Sequence, residues 1–234
     1  MANLKEIRNR ITSIGSTMKI TSAMKMVSAA KLKKAQDAIT AMRPYSDKLS
    51  ELLQNLSGTL DADTGGVYAQ QRSVSKVLLV VVTSNRGLCG GFNSSVIKQT
   101  RANIANNYQE QQVELLTIGK KGNDILRKEY TVVDNQSAVF DELNFENVAE
   151  IAEKLMQLFA EGTYDKIEIV YNSFKNAATQ IVKVEQFLPI KPAENTAAVS
   201  LDYIFEPAQE EIVSALIPKS LKTQLFKALR DSFA

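Results

Sequence analysis

The residues best placed to do chemistry stand in one short run, Ser84-Asn-Arg-Gly-Leu-Cys-Gly-Gly-Phe-Asn93. Glycines directly after an aliphatic strand let backbone amides approach a phosphate at the start of the next helix. The spacing does not fit that chemistry. It lacks the G-x-G-x-x-G order, and no lysine and hydroxyl close a G-x-x-x-x-G-K-[ST] loop. Gly119-Lys-Lys-Gly122 is a weaker match still. Gly87, Gly90 and Gly91 therefore read as a tight strand-to-helix turn. Cys89 beside Arg86 has a setting that favours some thiolate character. The chain has no histidine, however, so a cysteine nucleophile has no obvious base. One cysteine and no histidine also exclude disulfides and nearly all metal-site chemistry. No catalytic residue, cofactor site or metal site is expected.

The elements that position this turn follow an α/β pattern. Val77-Leu-Leu-Val-Val-Val82 is a continuous aliphatic run, as expected of a strand buried on both faces. A helix is expected from Ser95, with Ile97, Thr100, Ile104 and Tyr108 on one face. Val113–Ile118 reads as the next strand, Gly119–Lys128 as a short helix, and Tyr130–Val133 as a third, weaker strand. Asn144 or Asn147 caps an amphipathic helix bearing Val148, Ile151, Ala152, Leu155, Leu158 and Phe159, with Gly162 at its stop. Ile167–Tyr171 and Ile181–Leu188 are two more strands. Alternating strands and helices imply a small α/β domain with a largely parallel sheet over residues 76–190.

The flanks are different. Residues 58–75 are rich in Gly, Asp, Thr and Gln and read as a linker, and residues 191–206 as a polar connector. Pro207 opens a helix over 207–234 with Glu210 and Glu211 in its first turn, favourable against the helix dipole. Pro218 is expected to interrupt it. Beyond that proline Leu221, Leu225, Leu229 and Phe233 form a new helical face.

Residues 1–57 read as one long helix. Up to Lys34 it carries eight basic residues (Lys5, Arg8, Arg10, Lys19, Lys25, Lys31, Lys33 and Lys34) against one acid, Glu6. The charge is +7 before residue 35 and −5 after it, which leaves the whole chain at +2. Such separation presents a positive rod to something outside the chain. Leu4, Ile7, Ile11, Ile14, Met18 and Thr21 step by three and four, a narrow seam rather than a broad core-facing stripe. A second set follows with shifted phase: Met24, Val27, Ala35, Ala38, Ile39, Met42, Tyr45, Leu49, Leu52 and Leu56. A helix from Leu4 to Ser57 is roughly 80 Å long. That exceeds a compact domain of this size, so much of it should project, and its seam demands a second helix.

Two blander readings apply to this start. A solvated face is the ordinary meaning of a charge run, but solvated faces mix signs. A mitochondrial transit peptide is also basic, amphipathic and poor in acids, but this pattern continues for dozens of residues without a small-residue break. No secretory signal is visible. Val77–Val82 is the longest aliphatic run and far too short to span a bilayer, so any membrane connection must go through other proteins.

Lys19-Ile-Thr-Ser-Ala-Met-Lys-Met-Val-Ser-Ala-Ala-Lys31, Arg43-Pro-Tyr45, Ser84–Asn93 and Tyr203-Ile-Phe-Glu-Pro207 together resemble the gamma subunit of the F-type proton-translocating ATP synthase. The resemblance covers the whole chain. It implies a small, mostly parallel sheet domain inserted between N- and C-terminal helices that pair as an antiparallel coiled coil. It also implies a non-catalytic rotor shaft in the alpha/beta hexamer, with its base beside the epsilon subunit and the c-ring. By position, Lys5, Arg8, Arg10 and Lys19 lie on the shaft, and Met24 and Lys25 meet an acidic loop of a beta subunit. Arg43, Pro44 and Tyr45, with Tyr203, Phe205 and Glu206, match the foot that contacts the c-ring. The implied location is the cytoplasmic face of a bacterial plasma membrane, reached only through the proton-translocating sector.

One departure stands out. The family continues past a segment like Leu221–Phe233 into a long C-terminal helix, which is missing here, and Ser220 stands where the family often has an aromatic. A truncated, coupling-impaired rotor is therefore the alternative reading. Two readings from other classes are a nucleic-acid-binding protein using the basic helix and a small nucleotide-binding enzyme built on the α/β domain.

Overall fold

The computed structural model describes residues 3–57, 66–191 and 209–234. Helix α1 runs unbroken over Leu4–Ser57. Asn3 caps it: its Oδ1 accepts from Lys5 N at 3.1 Å. Strand β1 (Lys76–Val82) is followed by α2 (Phe92–Asn107), β2 (Gln112–Ile118), α3 (Lys120–Leu126), β3 (Val132–Asn135), α4 (Phe145–Ala160), β4 (Lys166–Asn176), β5 (Thr179–Leu188) and α5 (Gln209–Phe233). Short 3-10 helices lie at Val67–Ala69 and Ser137–Phe140.

The strands form one sheet in the order β3-β2-β1-β4-β5. β1 pairs in parallel with β2 (Val77↔Val113, Val80↔Leu116) and with β4 (Val77↔Lys166, Val80↔Ile169). β3 is parallel to β2, and β5 is antiparallel to β4. The sheet is thus largely parallel, as its sequence pattern indicates. β1 is buried because alternate residues serve two cores. Leu78, Val80 and Val82 face the α4 side with Val148, Leu155, Phe159, Leu221 and Leu225. Val77, Leu79 and Val81 face the α2 side with Val96, Ile97 and Leu126.

Local chemistry sets the ends of α4. Asn144 Oδ1 accepts from Asn147 N at 2.8 Å, and Gly162 takes φ +75° at the stop. The expected apolar face of α4 is buried apart from the half-buried Leu158, and Met156 joins it. α2 begins three residues earlier than expected, at Phe92.

Pro218 corrects an expectation. α5 continues through it, from Gln209 to Phe233. A proline inside a helix costs about 3 kcal/mol. Ile217, Leu221, Leu225 and Leu229 are all buried on this one helix, and each fully buried aliphatic side chain returns about 1.5–3 kcal/mol. Packing therefore outweighs the lost backbone bond. The expected helix start at Pro207 lies outside the described residues.

α1 packs against α5. Arg43 pairs with Asp231 and Asp47 with Lys227, so residue numbers rise along one helix as they fall along the other. The two helices are antiparallel. Ala35, Ile39 and Leu49 are buried along this stretch.

Candidate functional site: a basic helix arm and a closed glycine turn

The loop after β1 is filled by its own side chains. Asn93 Oδ1 accepts from Ser84 N at 2.9 Å, and Asn93 Nδ2 donates to Ser84 Oγ at 2.9 Å and to Cys89 Sγ at 3.1 Å. Gly90 needs its freedom, with φ +57°. Gly91 takes φ −80° as the residue before α2, and Gly87 lies 3.9 Å, measured from an added Cβ, from Lys121 Cε. The second left-handed position is taken by Leu88, φ +62°, whose side chain is fully exposed. Nothing in the residue types marked Leu88 for that conformation.

The Gly119–Gly122 segment serves packing. A Cβ on Gly119 would fall 2.0 Å from the carbonyl oxygen of Thr83. Lys120 N donates to Asn85 Oδ1 at 3.0 Å, Lys121 N to Ser84 O at 3.1 Å and Gly122 N to Thr83 Oγ1 at 2.9 Å. The first three amides of α3 are therefore occupied by Thr83, Ser84 and Asn85, just after β1, which leaves them no role with a phosphate. Among the described residues no group of His, Cys, Asp and Glu could hold a metal ion.

The arm of α1 is the opposite case. Lys5, Arg8, Arg10, Lys19, Met24 and Lys25 are all exposed. So is the apolar seam beneath them: Leu4, Ile7, Ile11, Ile14, Met18, Met24 and Val27 are 46–68% exposed. The threonines here fold their hydroxyls onto the helix, Thr12 Oγ1 donating to Arg8 O and Thr21 Oγ1 to Thr17 O. The charged residues exposed along the arm from Lys5 to Lys34 are all cationic except Glu6. No described helix is both long and apolar enough to cross a membrane.

Of the residues expected at the foot, Pro44 and Tyr45 are exposed, Tyr45 at 50%. Arg43, half-buried, also donates its guanidinium to Asp231 of α5 and to the carbonyl oxygen of Phe174 in β4. Sequence spacing gave no sign of that, because Asp231 is remote along the chain. Tyr203, Phe205 and Glu206 lie outside the described residues.

A single five-stranded sheet covered by helices on both faces and joined to two antiparallel helices, one running on as a basic arm, is the build of a rotary ATP synthase central-stalk subunit. A solved Tetrahymena thermophila mitochondrial ATP synthase central stalk/c-ring chain superposes with a TM-score of 0.64 at 26% identity, covering 92% of both chains. The family model described as ATP synthase matches residues 3–234. The ATP synthase gamma chain of Flavobacterium psychrophilum is 67% identical over 235 residues, spanning 100% of this chain and 82% of that one. The gamma chain of Flavobacterium johnsoniae is 66% identical with the same coverage. The chain belongs to the ATP synthase gamma-chain family, and so to the parts of an enzyme complex.

Proposed function

We propose that the chain is the non-catalytic rotor of its ATP synthase, converting rotation of the c-ring into conformational changes in the alpha/beta hexamer. In this reading residues 1–57 are the shaft helix, 58–75 a linker, 76–190 the sheet domain, 191–206 the connector and foot, and 207–234 the returning helix. Lys5, Arg8, Arg10 and Lys19 travel inside the hexamer. Met24 and Lys25 meet acidic loops of the beta subunits. Arg43, Pro44 and Tyr45, with Tyr203, Phe205 and Glu206, contact the c-ring beside the epsilon subunit. The complex then sits on the cytoplasmic face of a bacterial plasma membrane, and this chain touches the membrane only through the proton-translocating sector.

The observation that carries the reading is the exposed cationic face of α1. A rotor must meet its stator at every angle without being trapped at one. Exposed ion pairs contribute only about 0–1 kcal/mol each, so a basic rod against acidic loops makes many weak, exchangeable contacts.

Co-expression with the alpha and beta subunits tests the proposal. The chain is expected to co-purify with both in a complex that hydrolyses ATP. Alpha and beta subunits that assemble and hydrolyse ATP equally well with this chain excluded from the complex would overturn it.

A further inference from the structure

Arg43 stands where three elements meet. Its Nη2 donates to the carbonyl oxygen of Phe174 in β4 and to Asp231 Oδ1 in α5, the latter at 2.7 Å. The Asp231 side chain is 1% exposed and that of Arg43 35%. Ser173 Oγ donates to the other carboxylate oxygen at 3.5 Å. Next along α5, Ser232 Oγ accepts from Asn172 N at 3.2 Å and donates to Asn172 O at 3.3 Å. Asn172 in turn donates its side-chain amide to Phe92 O at the start of α2, 3.1 Å away. One guanidinium thus joins α1 to a polar lattice that already ties α5, β4 and α2 together.

The apolar contacts of α1 do not fix its direction by themselves. Burial of Ala35, Ile39 and Leu49 is non-directional, and it tolerates rolling or sliding of one helix on another. A charge-assisted hydrogen bond is directional, and the Arg43 guanidinium makes two, to Asp231 and to the Phe174 carbonyl oxygen. Beyond Ala35, the last buried position toward the tip, the helix extends to Leu4 for about 46 Å, so a small change of angle at the joint becomes a large displacement at the tip.

We infer that Arg43 is a positioning residue: acting through Asp231 and the Phe174 carbonyl, it sets the angle of the α1 arm against the sheet. Its mechanical use, that torque on the sheet reaches the arm without slack, rests on the rotor reading above. The angular role itself belongs to this chain alone. If Arg43 leaves, Asp231 keeps a buried charge with its cation gone, and the last turn of α5 loses its reason to hold α1 in one pose.

The test uses the full chain with two spin labels. One goes on Cys89, which is exposed and the chain's only cysteine, and the other on the exposed arm through Ser28→Cys. The width of the distance distribution reports the arm's angular freedom, and the thermal midpoint is followed alongside. Arg43→Ala is expected to widen the distribution at least about twofold, Arg43→Lys to give an intermediate width, and Asp47→Ala to leave it near the parent value. If Arg43→Ala does not fold, Arg43→Gln carries the same comparison. A lowered midpoint with unchanged width would mean that the pair is only structural, and equal widening in Asp47→Ala would mean that Arg43 is not the joint. Either result overturns the inference. Since the chain is measured alone, neither result bears on whether it joins an ATP synthase.

Discussion

Lys227 Nζ lies 2.8 Å from Asp47 Oδ1, four residues further along α1 than Arg43 and four residues back along α5 from Asp231. The two ion pairs hold the same antiparallel register but differ in environment. Asp47 is 64% exposed, whereas the Asp231 side chain is 1% exposed. A double-mutant cycle on Asp47→Ala and Lys227→Ala should give a coupling below about 1 kcal/mol. Arg43→Ala should cost about 3–5 kcal/mol, because it strands a buried carboxylate. Denaturant unfolding of the four variants and their parent checks both figures.

Gly119 and Gly90 both have positive φ, yet they should respond differently to alanine. At Gly119 the φ is +116° and an added Cβ overlaps the backbone of Thr83. Strain and overpacking together should cost about 3–5 kcal/mol. At Gly90 the φ is +57° and nothing lies within 4 Å, so Gly90→Ala should cost only about 1–2 kcal/mol. Thermal denaturation of the two variants separates them.

Much of the fold could be read from residue order. Val77–Val82 announces a central strand because an uninterrupted aliphatic run has no solvent-facing side. Val148–Phe159 announces a helix because its apolar residues repeat at three and four. What could not be read depends on contacts between distant residues. Ile181–Leu188 gives no hint that β5 runs antiparallel, since the direction of a strand is a property of its neighbour. Pro218 looked like a break because a local rule was applied to a helix held by its core contacts. The Arg43–Asp231 pair could not be read because its two residues come from distant parts of the chain. Leu88 in a left-handed turn was invisible for the opposite reason: the glycines around it were the better candidates on propensity alone.

Acid should weaken the sheet domain through a few identifiable carboxylates. Burial opposes charge on Glu168, but hydrogen bonds from Lys166, Tyr108 and Asn103 outweigh it and hold its carboxyl below the ordinary range. Hydrogen bonds from Ser75 and from the backbone of Lys76 and Ser75 outweigh burial at Asp165 and lower it as well. A group whose folded pKa is depressed stabilises fully above its unfolded pKa and loses that contribution as pH falls through the folded one. With unfolded carboxylates near about 4, the melting temperature should be flat from neutrality to about pH 5 and fall below about pH 4. Glu168→Gln should start lower at neutral pH and fall less steeply in acid. Melting curves between pH 3 and pH 7 decide this; parallel acid limbs in the two proteins would contradict it.

Lys25 lies exposed on the arm, where the rotor reading has it meet acidic beta-subunit loops. Replacing it by alanine removes one weak contact, whereas Lys25→Glu also adds repulsion of like charges. Charge reversal should therefore reduce ATP-driven proton pumping per ATP hydrolysed more than alanine does. Equal effects in a vesicle pumping assay would remove the electrostatic part of the account.

Rotation is the most direct test of the central claim. Cys89 is exposed and stands alone as a cysteine, so a gold particle can be attached to this chain within an alpha/beta complex held to a surface through its beta subunits. On addition of ATP the particle should turn stepwise in one direction, at a rate set by ATP hydrolysis. Sustained hydrolysis by complexes whose particle stays still would contradict the rotor account.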